Sequence, residues 1–533
     1  MTNNLKLSLS WLTFILFNIF SLMILNLYYP SDRSPDLNRY SNYLEYFSKS
    51  SESTNLEQGL LYFFIVFIFL NFFETFNSFE VLEQNNELLF SLSLQTINTA
   101  IFLIGLLGLY FLLKELNFDK TNIIFSLSII TIFPQAIKLK VTMKPEIMAF
   151  CIITWVFYLV EKYKRNGEFF YLIIAVVGLG IISTLKASIF AISLFCLVFL
   201  FYEEIKTTNY KKIILLFIVF IIIFIPIYIE NLDANQRGLF DRNDLLDDFD
   251  QQNYDNRASL GFIFNVNFKD IVSNPKSNYH ADSLVGITLF DTFGDYFNLY
   301  WNLDFSNFSE NRKEFIKKNT NNTFRGDFIN RTLYIPESLN FNIDYLRKYF
   351  AFAIAFSYFL TLIYFFKKDR ERYLFLPFIG IFTLTLNAYG IPENNFDPLV
   401  GDTLKPFYYS FISLITISYL ICFLLKKNKS LLYLVILTIF VLFFIYGFPK
   451  ANNSVLDSNL SEVNKLTFFC EINQIYLELA LIEKENIDCG AKININYADD
   501  SDVNIPFINM FYFGLFFIFI FFTKIYERYF SKK

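Results

Sequence analysis

The sequence predicts an all-α polytopic membrane protein, and three observations carry that prediction. Of the 533 residues, 54% are hydrophobic and 20% aromatic, with 71 Phe, which is too apolar a composition for a set of soluble domains. Long apolar runs recur along the chain, each near or above ~18 residues, the length at which a helix crosses the hydrocarbon core. The runs are uniformly apolar and do not alternate, so they imply helices and not a closed barrel.

By the ~20-residue criterion the chain holds about twelve transmembrane helices. They fall near 7–29, 94–113, 121–137, 146–160, 168–184, 187–202, 213–230, 347–366, 373–389, 407–425, 431–448 and 506–523. The first run exceeds a signal-peptide core and lacks a small-residue cleavage site, so it reads as a retained span. Gly59 to Phe73 is too short for a crossing and reads as an interfacial or re-entrant helix after the first span. The expected organisation is a core over 1–230 with an outer loop at 30–95, and a large outer loop at 231–346. Further spans follow over 347–448, then an outer cap at 449–505 and a last span with its tail over 506–533.

Orientation follows from basic clusters, which favour the cytoplasmic side. Lys162, Lys164 and Arg165 form one; Lys206, Lys211 and Lys212 another; Lys367, Lys368, Arg370 and Arg372 a third; Lys426, Lys427 and Lys429 a fourth. The C-terminal tail adds Lys524, Arg528, Lys532 and Lys533. All five clusters and the N-terminus fall on one side, so both termini are expected to be cytoplasmic in the inner (plasma) membrane. The net charge of -5 decides little beside this asymmetry.

Lysines on the other side break the rule. Lys138, Lys140 and Lys144 lie between the third and fourth spans, Lys186 in the turn before the sixth, and Lys405 at the mouth of the tenth. One such lysine snorkels to lipid head groups without further meaning. Lysines on three separate outer turns suit an anionic lipid phosphate, where charge-assisted contacts are strong.

Two acids share that face. Asp36, in Pro35-Asp36-Leu37-Asn38-Arg39-Tyr40, follows an N-cap serine and a first-turn proline just beyond the first span. Glu146 repeats the pattern in Met143-Lys144-Pro145-Glu146. A first-turn acid is favoured by the helix dipole alone, so position does not by itself make either a base. In the long outer loop, Asp291 and Asp295 lie among aromatic residues, a mixture that suits sugar hydroxyls and equally an amphipathic segment on the membrane surface.

Cys151, Cys196 and Cys422 lie within apolar runs and read as small core residues. Cys470 and Cys489 share the outer cap, where a disulfide or two separate thiols both fit. His280 is the single histidine, which excludes an imidazole-built metal site but leaves an all-oxygen divalent-cation site open. There is no phosphate-binding glycine loop with Lys-Ser/Thr, no dinucleotide fingerprint after a strand and no His-Glu-x-x-His, so these sequences lend no support to ATP-driven transport or zinc hydrolysis.

The order of these motifs resembles the GT-C superfamily of integral-membrane glycosyltransferases, nearest to the aminoarabinose and protein-mannosyl transferase type. The resemblance covers 7–230, and 347–450 more loosely. It implies that Asp36 is the catalytic base, with Arg39 and Tyr40 matching the family motif and Leu37 standing where a second acid is usual. It implies a second catalytic acid at Glu146. Lys144, Lys186 and Lys405 with Tyr408 would bind substrate; Asp291 and Asp295 are substrate-binding candidates on the composition of their loop, to which the resemblance does not extend. The implied donor is a polyprenyl-phosphate-linked sugar and the acceptor a hydroxyl of a lipid, glycan or protein, with no nucleic-acid partner. No cofactor is required on this reading, a divalent cation remaining open because of Leu37. Two alternatives stand beside it: a polysaccharide polymerase or ligase using lipid-pyrophosphate donors, and a lipid-linked sugar transporter or flippase.

Overall fold

The computed structural model describes residues 3–27, 43–44, 46–48, 58–74, 87–206, 209–235 and 410–427. Among the described residues the fold is all-helical, with no strand. The helices are α1 (Asn3–Leu27), α2 (Leu60–Glu74), α3 (Glu87–Glu115), α4 (Lys120–Ile132), α5 (Pro134–Val141), α6 (Glu146–Asn166), α7 (Phe169–Ser183), α8 (Ala187–Lys206), α9 (Tyr210–Asn235) and α10 (Ser410–Lys427).

These bounds follow the apolar runs closely. The short run expected from Gly59 to Phe73 forms α2, and the fourth and fifth runs form α6 and α7. The hairpin between α6 and α7 closes at Gly167, whose φ of 73° is the left-handed conformation that glycine adopts without strain. Its N–H donates to Tyr163 O at 2.8 Å. Helix α9 continues to Asn235, five residues into the segment expected to be loop. The spans expected at 347–366, 373–389, 431–448 and 506–523 lie outside the described residues, as do most of the 231–346 loop and all of the 449–505 cap.

One expected span is corrected. The run 121–137 is not a continuous helix but breaks at Phe133, between α4 and α5. Pro134 has no N–H to give Ile130 O, and a residue before proline is driven out of the helical region. Phe133 accordingly turns extended (φ -62°, ψ 139°), and its own N–H reaches Ile130 O at 3.2 Å.

The core lies between α3 and α6, which run parallel. A Cβ on Gly105 would meet the Phe150 ring at 2.7 Å, and one on Gly108 would meet Thr154 Oγ1 at 2.7 Å, so the two backbones approach closely. Trp155 Nε1 donates to Ile104 O across this seam at 3.1 Å, and Phe102 stacks on Phe150. Helix α10 runs antiparallel to α4: Ser126 Oγ donates to Ser418 O, while Cys422 meets Asn122 O. Cys151, Cys196 and Cys422 are buried thiols, as their apolar runs suggested.

Ser93–Glu115 and Tyr210–Glu230 are long and apolar enough to cross a membrane. They differ in setting. The first is mostly enclosed by protein, whereas α9 exposes Ile214, Phe217, Ile218, Ile222 and Ile229.

Charges separate to the two ends of the bundle. At one end Glu115 pairs with Arg165 (2.8 Å) and Lys162 (3.3 Å). Nearby, Tyr163 Oη donates to Glu204 Oε1 at 2.6 Å and accepts from Lys212 Nζ at 3.4 Å. The other end holds Glu146, Lys144, Lys186 and Tyr62. Nineteen residues of α6 separate Glu146 from Arg165, about 28 Å at 1.5 Å per residue.

Candidate functional site

The site is assembled from four places in the chain. Glu146 opens α6, preceded by Pro145, which closes the turn from Lys144. Lys186 ends the short turn between α7 and α8. The N-terminus of α2 brings Gly59 and Tyr62, and α3 brings Asn98. Their convergence depends on one close approach: Gly59 N–H donates to Leu185 O at 2.9 Å, and a Cβ at Gly59 would lie 2.0 Å from Thr184 O. Only glycine permits α2 to start against the turn that carries Lys186.

Within this frame Lys186 Nζ donates to Glu146 Oε1 at 2.7 Å. Glu146 is fully buried and the Lys186 side chain 12% exposed. Glu146 Oε2 is also buried and has no hydrogen-bond partner among the described residues. A buried carboxylate oxygen without a donor is costly, so the atom is chemically ready to accept a hydroxyl or water proton.

Tyr62 lies beside this pair. Its hydroxyl donates to Asn98 Oδ1 at 2.8 Å and lies within reach of the Lys144 backbone amide, with Glu146 close enough to act on it electrostatically. Burial holds the Tyr62 phenol far above its usual range, so it remains a neutral donor. Asn98 Nδ2 in turn donates to Thr142 O (2.9 Å) and Lys140 O (3.1 Å), fixing the stretch that leads into Glu146. Next to this stretch Tyr43 stacks on Phe63, and its hydroxyl donates to Gln58 O at 3.1 Å.

No family model, curated protein or solved structure matches this chain.

Of the residues singled out in the sequence, Glu146, Lys144 and Lys186 are brought to one end of the bundle. Lys144 is buried, and Lys186 is committed to Glu146 and does not stand as an isolated cation. Asp36, Arg39, Tyr40, Lys405, Tyr408, Asp291 and Asp295 lie outside the described residues. Among the described residues no group of three or more His, Cys, Asp or Glu side chains is arranged to hold a metal.

Sequence reasoning passed over Gly59, Tyr62 and Asn98 as site residues, and it misread Lys140. Asn98 carried a signal, since an amide within the apolar run of α3 must find buried partners. Lys140 carried another: flanked by Leu139 and Val141 it was grouped with the outer lysines, yet it is fully buried.

Proposed function

We propose that this chain is an integral-membrane glycosyltransferase of the GT-C type. It transfers a sugar from a polyprenyl-phosphate donor to an acceptor hydroxyl at the outer face of the inner membrane. The observation that carries the reading is the Glu146–Lys186 pair, buried at the bundle end remote from the Glu115–Lys162–Arg165 cluster. Basic clusters favour the cytoplasm, which assigns the Glu146 end to the outer face, where lipid-linked donors present their phosphates.

On this reading the acceptor oxygen attacks the anomeric carbon as Asp36 takes its proton. The bond from that carbon to the phosphate oxygen breaks, and the electron pair leaves with the lipid phosphate. Lys144, Lys186 and Lys405 offset the charge that builds there. Glu146 holds Lys186 in place before the donor arrives, and its free oxygen orients an acceptor or sugar hydroxyl. Arg39, Tyr40 and Tyr408 line the donor, and Asp291 and Asp295 meet sugar hydroxyls.

The deciding experiment supplies membranes carrying the full chain with polyprenyl-monophosphate and polyprenyl-pyrophosphate sugars. Transfer from the monophosphate donor, abolished by Asp36→Asn at unchanged expression, is the expected result. Near-normal turnover by that variant overturns the assignment of the base. Use of the pyrophosphate donor alone replaces the reading with a polymerase or ligase.

A further inference from the structure

Lys140 is a buried amine that the proposed reaction does not use. It lies on α5, the short helix after the break at Phe133, and is fully buried. Its Nζ hydrogen-bonds Ser21 Oγ on α1 and donates to Thr131 O on α4 at 2.8 Å. It also sits 5.3 Å from the centre of the Phe102 ring on α3. Each partner has a reason to be there. Thr131 O is one of the last carbonyls of α4, left without an N–H by the helix break, and an amine N–H satisfies it. Ser21 lies on the helix that leads toward Pro35–Tyr40. The Lys140 carbonyl accepts from Asn98, whose Oδ1 accepts from Tyr62 beside Glu146.

We propose that Lys140 is a positioning residue: its amine clasps α1 to the broken end of α4, and its carbonyl, through Asn98 and Tyr62, holds the Thr142–Glu146 stretch and the Glu146–Lys186 pair in place. The clasp stands on these contacts; its importance for transfer rests on the glycosyltransferase reading.

The clasp has a proton dependence. Burial lowers the Lys140 amine to about 7. The elements packed on α5 are α1, α3, α4, α6 and α10, and they bring it Ser21, the Phe102 ring and Thr131 O. Among the described residues the titratable groups at the same end are Tyr43, Tyr62, Lys144 and Glu146, the last paired with Lys186. Glu87 lies eleven residues before Asn98, about 16 Å along α3. The charge described on α10, Lys426, is at the remote end with Glu115, Lys120 and the 161–165 cluster. When the clasp opens to water the amine returns to its ordinary value near 10.5. Between these two values the closed form binds fewer protons than the open one, so rising pH favours closure by at most about tenfold per pH unit.

The test reads opening without any donor. Met143→Cys places a thiol at a fully buried position in the held stretch of the full chain in nanodiscs. Maleimide labelling of that peptide is followed by mass spectrometry and corrected for thiol ionisation with an unfolded peptide of the same sequence. The corrected rate is expected to fall severalfold per pH unit from pH 7 to 9. Lys140→Met should label at least about fivefold faster at pH 8, with no pH slope, as two hydrogen bonds are lost. Lys140→Gln keeps neutral donors, so it should stay protected and lose the slope. Ser21→Ala should label faster and keep it. A slope that persists in Lys140→Gln, or wild-type labelling in Lys140→Met, overturns the proposal. A fall in the unfolding midpoint with the slope retained would mean that Lys140 only fills space, and also overturns it. If membranes carrying the full chain transfer sugar from neither donor while labelling follows the expected pattern, the glycosyltransferase reading falls and the clasp stands.

Discussion

Replacing Lys186 by Met removes the partner of a fully buried carboxylate. At the 2.7 Å separation and an effective dielectric of 20, the gross attraction is about 6 kcal/mol. That attraction does not become net stability, because desolvating each ion costs several kcal/mol. The variant keeps the cost and loses the compensation: Glu146 is left buried with both oxygens short of donors, a loss of about 3–5 kcal/mol. Glu146→Gln with Lys186→Met removes both charges, so most of that loss should return. The assay is unfolding by SDS in mixed micelles, comparing wild type, each single variant and the double variant. A single-variant cost below about 1 kcal/mol, the range of exposed pairs, or a double variant that recovers nothing, would refute a buried and mutually dependent pair.

Other outcomes follow from the same geometry. Gly59→Ala must push α2 away from Thr184 O, so it should cost about 1–3 kcal/mol and slow transfer, read by the same SDS titration and a donor assay. Tyr62→Phe leaves the Asn98 side-chain oxygen buried without its donor and should cost about 1–3 kcal/mol, while expression stays high. Glu115→Gln weakens an ion-paired cluster about 28 Å from Glu146 and should leave transfer within about twofold of wild type in the donor assay. An equal loss of transfer in Glu115→Gln and Glu146→Gln would point to global destabilisation and not to a site.

The helices were legible because apolar runs record them directly. Leu60–Glu74 and Phe169–Ser183 could be read almost to the residue, since nothing but length and polarity sets their ends. The break at Phe133 was also written in the sequence, in Pro134, but the apolar run continued past it and hid it. The ends of Glu146 and Lys186 were legible from sidedness; their contact was not. It depends on Gly59 letting α2 close against the turn after Thr184, a tertiary event across more than a hundred residues. Lys140 was misplaced for the same reason. A lysine between two spans reads as a surface cation unless one knows that Thr131 lost its helical donor nine residues earlier.

That contact changes what the outer lysines mean. Read one by one, they formed a cation cluster waiting for a phosphate. With Lys186 bound to Glu146, that amine already meets an anion, and on the proposed reading a lipid phosphate would compete with the carboxylate for it. Such an exchange would leave both Glu146 oxygens without donors, since Oε1 is the one bonded to Lys186 and Oε2 already has none among the described residues, so it requires that incoming hydroxyls supply them. Donor and acceptor would then bind through one pair: phosphate to Lys186 and hydroxyl to Glu146. The pairing keeps two buried charges from standing uncompensated, and on the proposed reading it would link occupancy of the cation to release of the acid. Gly59, Tyr62 and Asn98 hold the framework around that pair.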